Sequence, residues 1–145
     1  MGFNVKIDES ITLDGAKFEN SVTYFSNLAS HYEKKVIPVT TVDGGQTLYT
    51  CSSDGSGGLG DYDYDNVKYA RISNLHYSYT LFLEVISGGQ YFYFSVGSGG
   101  SFIINNHKSF LDGGSNPFAN GFVTSVKGEA SGSGVNVELF IAYDG

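Results

Sequence analysis

Three aspartates at alternate positions, Asp61, Asp63 and Asp65 in the stretch DYDYD, are the densest cluster of ligating side chains in the sequence. Their spacing matches the first half of a calcium loop, which supplies oxygen ligands from its first, third and fifth positions. The match stops there. Such a loop needs glycine at its sixth position and a bidentate glutamate at its twelfth, and this chain has Asn66 and Ile72. In an extended strand the three carboxylates share one face, roughly 6–7 Å apart, and repel unless they are solvated or neutralised. Tyr62 and Tyr64 then occupy the opposite face. The spacing predicts a strand entry or a contact edge, with no metal assigned.

The other candidates for chemistry are sparse. Gly55-Ser56-Gly57-Gly58-Leu59-Gly60 has the glycines of a phosphate loop, but no Gly-Lys-Ser/Thr and no helical pattern after it. His31, His76 and His107 stand alone, without a partner at a metal-ligand spacing. Cys51, the single cysteine, ends an apolar run; it reads as a small buried hydrophobe and offers no disulfide framework. No Gly-x-Ser-x-Gly elbow occurs. Asp8, Glu9, Glu19, Glu84 and Glu138 include no pair that the sequence marks as facing. The expectation is a protein without catalytic residues or cofactor.

The elements that must carry these residues are strands. The 145 residues suit one domain, residues 1–145, with Gly-rich loops near 52–60, 105–121 and 129–134. Twenty glycines and two prolines signal tight turns, while Val, Ile, Thr, Tyr and Phe dominate the apolar runs. Phe3, Val5 and Ile7 alternate with polar residues, and Asp14-Gly15 sets up a hairpin into Glu19 to Phe25. Ser26 to Lys35 predicts a turn of helix or a loop, from a Ser/Asn cap and two late lysines. Val36 to Val42 contains Pro38, which predicts a sheet edge, and Asp43-Gly44-Gly45 predicts a second hairpin with Gln46 to Cys51. Val67 to Ile72 is a further strand. Thr80 to Ile86, Gln90 to Val96 and Ser101 to Ile104 read as a three-stranded meander around glycine turns. Phe122 to Lys127 follows. Val135, Val137, Leu139, Ile141 and Tyr143 alternate to the end on one face of a last strand. About nine strands result, and the class is all-β: a single antiparallel β-sandwich of jelly-roll type.

What remains for function is surface. Tyrosines gather beside loops at Tyr62, Tyr64, Tyr77, Tyr79, Tyr91 and Tyr93. In QYFYF both strand faces are aromatic, so packing Phe92 and Phe94 inward leaves Tyr91 and Tyr93 outside, next to Phe82 and Ile86. With Asp61, Asp63 and Asp65, these tyrosines form the candidate contact edge.

Charge limits the partners. The net charge is −7 and the lysines and arginines are scattered apart from Lys34-Lys35, so no nucleic-acid partner is expected. No apolar run approaches the ~20 residues of a membrane span. The start MGFNVKIDES has no basic segment followed by an apolar one, so synthesis in a cytoplasm without secretion is expected.

The segment ARISNLHYSYTLFLEVISGGQYFYFSVGSGGSFII, Ala70 to Ile104, resembles small virion structural proteins of tailed bacteriophages. The likeness is one of pattern: an Arg-Ile-Ser-Asn strand, an apolar strand, a glycine turn, a second strand, then a Gly-Ser-Phe strand. It covers about a quarter of the chain. It implies a virion protein made in the host cytoplasm, with capsid decoration or cementing favoured and a tail or fibre component next. The partners implied are the major capsid protein or other virion proteins, together with copies of itself, a trimer being favoured. A rival reading is carbohydrate or receptor binding through Tyr62, Asp63 and Tyr64, against which the absence of Trp counts. A small hydrolase built on Cys51 or a carboxylate is the third.

Overall fold

Asp14 and Gly15 take left-handed φ angles of 49° and 81°, as a two-residue hairpin loop requires. They join β1 (Phe3–Leu13) to β2 (Ala16–Ser26) along a fully paired ladder. The computed structural model describes residues 3–26, 29–41, 43–105, 107, 110–111 and 120–145, and among them it contains strands and no helix. After this hairpin come β3 (His31–Val39), β4 (Gln46–Ser52), β5 (Asp61–Asp63), β6 (Val67–Asn74), β7 (Leu81–Ser87), β8 (Gln90–Val96) and β9 (Ser101–Ile104). The two-residue β10 (Phe110–Leu111) and β11 (Asn120–Gly121) pair with each other, and β12 (Val123–Ala130) and β13 (Val135–Tyr143) close the chain.

Two sheets enclose the core. One has the order β5-β4-β12-β7-β8 and the other β3-β13-β6-β9. All of their ladders are antiparallel except the short β4–β5 pair. The pairing is nested. β7 and β8 form a hairpin on Gly88 and Gly89, both at positive φ, and β6 pairs with β9 on the other sheet. Then β4 pairs with β12 and β3 with β13. Among the eight longer sheet strands β3, β4, β6, β7, β8, β9, β12 and β13, each of the first four thus meets its counterpart counted back from the last.

Alternation explains the core. β13 buries Val135, Val137, Leu139 and Ile141, the face its sequence marked. β7 contributes Leu81, Leu83 and Val85, β6 contributes Ile72, and β12 contributes Val123 and Val126, all at or near zero exposure in one cluster. Each such side chain stabilises the fold by about 1.5–3 kcal/mol relative to exposure.

Three local readings change. Residues 31–35 are strand, not helix: β3 pairs over its whole length with β13. Its Val36, Ile37 and Val39 favour a pleated surface, and Lys34 and Lys35 are charges on a sheet edge, not at a helix end. Asn27 and Leu28 lie outside the described residues. Pro38 does sit on an edge strand. The Asp43-Gly44-Gly45 turn, with Gly44 and Gly45 at φ of 88° and 80°, makes no hairpin, because β3 and β4 belong to different sheets. The meander likewise splits: β9 leaves β8 and pairs with β6. With the short β5, β10 and β11, the described residues hold thirteen strand segments against about nine expected. Of the loop expected at 105–121, residues 106, 108–109 and 112–119 lie outside the described residues.

Candidate functional site

The Asp-Tyr stretch is built inward. Asp61 accepts hydrogen bonds from the Thr50 hydroxyl (2.6 Å), the Ser52 hydroxyl (2.6 Å) and the Gly57 amide (2.9 Å). These donors hold its carboxyl below the usual carboxylate range, the Ser52 and Thr50 hydroxyls most strongly. A Cβ on Gly57 would meet the Asp61 carboxylate oxygen at 2.8 Å, so the glycine is needed for this close approach. Asp54 turns on its own loop, accepting from the Ser56 hydroxyl and amide. Asp63 accepts from the Asp65 amide and the Asn66 side chain. The carboxylates therefore pin the loop between β4 and β6. Among the described residues no three His, Cys, Asp or Glu side chains gather as a metal site. Calcium titration is expected to leave the melting temperature unchanged, since an ion bound only by the native form must raise it.

Tyr62 points into the core, 7% exposed, with its hydroxyl donating to Glu33 and its ring against Tyr49 and Tyr143. Burial, then the Glu33 hydrogen bond, pushes its phenol upward. Tyr64 is half-buried and stacks on Phe122 at 4.5 Å. Tyr79 is half-buried against the core and stacks on His76. Of the tyrosines read as a contact edge, these three spend their rings on the fold. Tyr77, Tyr91 and Tyr93 are exposed, at 89%, 58% and 70%.

The reactive candidates are also enclosed. Cys51 is buried beside Tyr62, and desolvation, helped by Asp61 and Asp63, pushes its thiol up to about 12. At neutral pH almost no thiolate is present for nucleophilic attack. Cys51 is expected to resist thiol reagents in the native protein and to react at full stoichiometry in denaturant. His107 is fully buried, with Nε2 2.7 Å from the Tyr49 hydroxyl. The three histidines stay apart: His31 bonds Ser30 near Tyr143, and His76 caps the 76–79 turn by accepting the Ser78 and Tyr79 amides.

Among the described residues, exposed apolar side chains cluster in two places of particular interest. On the outer face of the five-stranded sheet, Tyr91 and Tyr93 of β8 stand next to Ile86, Glu84 and the 46%-exposed Phe82 of β7. Beside them, Phe82, Tyr93, Lys127 and the Asp43–Gly45 turn line a groove of about 220 Å³. The second place is the β1–β2 ribbon. Ile7 pairs with Val22 and Ile11 with Phe18, so these side chains share one ribbon face with Leu13, all about half exposed or more. The other face carries Lys6, Asp8, Lys17 and Glu19 in local ion pairs. Val5 is packed against Ala29, Tyr69 and Ala142 on the outer side of the four-stranded sheet. The sequence reading found both strands of this ribbon but not its bare apolar face. The available signal was matched alternation on either side of Asp14-Gly15.

No protein-family model matches the chain, and no curated protein or solved structure matches it either. The fold defines its class: an all-β protein of two stacked sheets.

Proposed function

We propose that this chain is a non-enzymatic structural protein of a bacteriophage particle, a jelly roll that attaches to the assembled capsid as a decoration or cement protein. The observation that carries the reading is the division of labour among its side chains. Asp54, Asp61, Asp63, Cys51 and His107 are engaged within the fold, while Ile7, Ile11, Leu13, Phe18 and Val22 on one ribbon face and an aromatic sheet face meet solvent. Apolar surface in this amount is the usual mark of a partner. The nested pairing of eight main strands, first with last and fourth with fifth, supports the jelly-roll reading, an architecture widespread in viral shells. The pattern of Ala70 to Ile104 supports the virion setting. Many weak contacts repeated on a symmetric shell would give firm attachment without any one large interface.

A second reading has one observation in its favour. Tyr77 stands 89% exposed, stacked at 4.6 Å on His76, whose other neighbour is Tyr79 at 4.3 Å. Such a braced ring is a platform for a sugar face, as a tail or fibre component would need. Purified particles separate the two. Decoration requires the chain among the abundant virion proteins, with attachment weakened by Phe18→Lys. A few copies per particle, and glycan binding lost in Tyr77→Ala, would move the protein to the tail. Absence from particles would end both.

A further inference from the structure

The sheet edges of this protein are guarded unequally. An edge strand exposes unpaired amides and carbonyls that template another strand, and proteins blunt such edges with charge, proline or brevity. The nine-residue β3 carries Glu33, Lys34, Lys35 and Pro38. β5 has three residues and β9 four. In the β1–β2 ribbon, β1 carries Lys6, Asp8 and Glu9, and β2 carries Lys17 and Glu19. The edge strand β8, QYFYFSV, has seven residues and neither a charge nor a proline.

The hairpin fixes which backbone groups β8 offers. A two-residue loop at Gly88-Gly89 makes Ser87 and Gln90 the closing pair, a pair that exchanges hydrogen bonds, and the pattern alternates from there. Gln90, Phe92 and Phe94 therefore bond inward to β7. Tyr91, Tyr93 and Ser95 direct their amides and carbonyls to the open side, where no strand among the described residues lies beside β8.

We propose that β8 is a strand-addition edge whose occupant is β8 of a second copy of this chain, paired antiparallel about Tyr93. In that register Tyr93 faces Tyr93 of the second copy, Tyr91 faces its Ser95, and Phe92 faces its Phe94. Aromatic pairs then form on both faces. The half-buried Phe92 and Phe94 gain cover. The outer patch of Phe82, Tyr91 and Tyr93 continues into its symmetry mate. Charge favours this edge for self-association. Each copy carries −7, and an uncharged strand lets two such copies meet without placing like charges opposite each other. A twofold axis closes the contact, so assembly stops at a joined sheet and does not run on into a fibre. The inference does not depend on the particle role, because it is read on purified protein.

The experiment is sedimentation of the full chain beside Tyr93→Pro and Tyr93→Thr, with amide exchange of the unaltered protein. Proline at 93 deletes an outward amide and no bond to β7, so the monomer fold tolerates it; far-UV dichroism and melting check this. Threonine keeps the amide and suits a strand. The expected result is a dimer for the unaltered chain and for Tyr93→Thr. Tyr93→Pro is expected to weaken it by at least about tenfold. In the dimer, the Tyr91, Tyr93 and Ser95 amides exchange slowly. A monomer at every concentration would overturn the proposal, as would free exchange of those amides. So would an oligomer that Tyr93→Pro leaves intact, which places association elsewhere, the ribbon first. Equal loss in the threonine and proline variants would also overturn it, since side-chain docking and not strand pairing would then be responsible.

Discussion

Replacing Asn74 by leucine is expected to lower the stability of the fold by about 3–5 kcal/mol. For a chain of this length that corresponds to a fall in melting temperature of about 10 °C. Asn74 ends β6 and is fully buried, one of few polar side chains that are. Its side-chain amide donates to the carbonyls of Tyr79 (2.8 Å) and Val96 (3.0 Å), and its side-chain oxygen accepts from the His76 amide (3.0 Å). One residue thus ties the end of β6 to the 75–80 connection and to the end of β8. Its backbone is bonded as well, to Gly100 and Gly99 in the turn before β9. Leucine has similar volume but removes the side-chain partner of one buried and two part-buried backbone groups, each costing about 1–3 kcal/mol, partly offset by the added apolar burial. Asn74→Asp is no remedy at neutral pH, because it turns a carboxylate oxygen toward two carbonyls. Urea unfolding of the three proteins measures the effect. A loss below about 1 kcal/mol for Asn74→Leu would show that water or a shifted backbone replaces those bonds.

Asn74 also shows where a one-dimensional reading stops. Period-two alternation marked β6, β7, β8 and β13 because each buries one face, and glycine pairs marked the turns that need positive φ. Those are local effects, written in neighbouring residues. Which strand pairs with which is set by contacts between distant segments. That is why Asp43-Gly44-Gly45 read as a hairpin although it carries the chain between sheets, and why β9 read as the third strand of a meander. The lysines at 34 and 35 were ambiguous for a similar reason: positive charge suits a helix end and a sheet edge alike, and only the β13 partner decides. The same limit applies to the surface. Tyr91 and Tyr93 could be placed outside because strand phase fixes them. Tyr62 could not be placed, because its burial depends on Glu33, Tyr49 and Tyr143 from three other strands. Asn74 itself lies just past Val67 to Ile72, the stretch that alternation marks as a strand, and its partners at Tyr79 and Val96 come from other segments.

The acid limb of stability is expected to be dominated by His107. The imidazole is fully buried, its carbonyl accepts the Val123 amide, and Nδ1 has no hydrogen-bond partner among the described residues. Burial pushes its pKa down to about 4, against roughly 6.5 for the unfolded chain. The native state thus resists a proton that the unfolded state accepts. Above the unfolded value both forms are neutral and nothing is lost. As pH falls from about 6.5 to 4 the unfolded state takes up the proton and stability drops, by about 3 kcal/mol over the window. Asp54 and Asp61 act in a different range: their lowered pKa values stabilise the fold above the ordinary carboxylate value, and this is lost only as pH falls through them, below about 4. His107→Leu separates the effects. At pH 7 the variant is expected to be about 1–3 kcal/mol less stable, since the buried Tyr49 hydroxyl loses its partner at 2.7 Å. Its stability should then stay nearly flat where that of the parent falls, so the two curves converge toward pH 4. His31 and His76 are common to both proteins and cancel in the difference. Urea unfolding at half-unit pH steps reads the result directly, and curves that run parallel from pH 7 to pH 4 would mean that His107 takes up its proton in the folded protein as readily as in the unfolded chain.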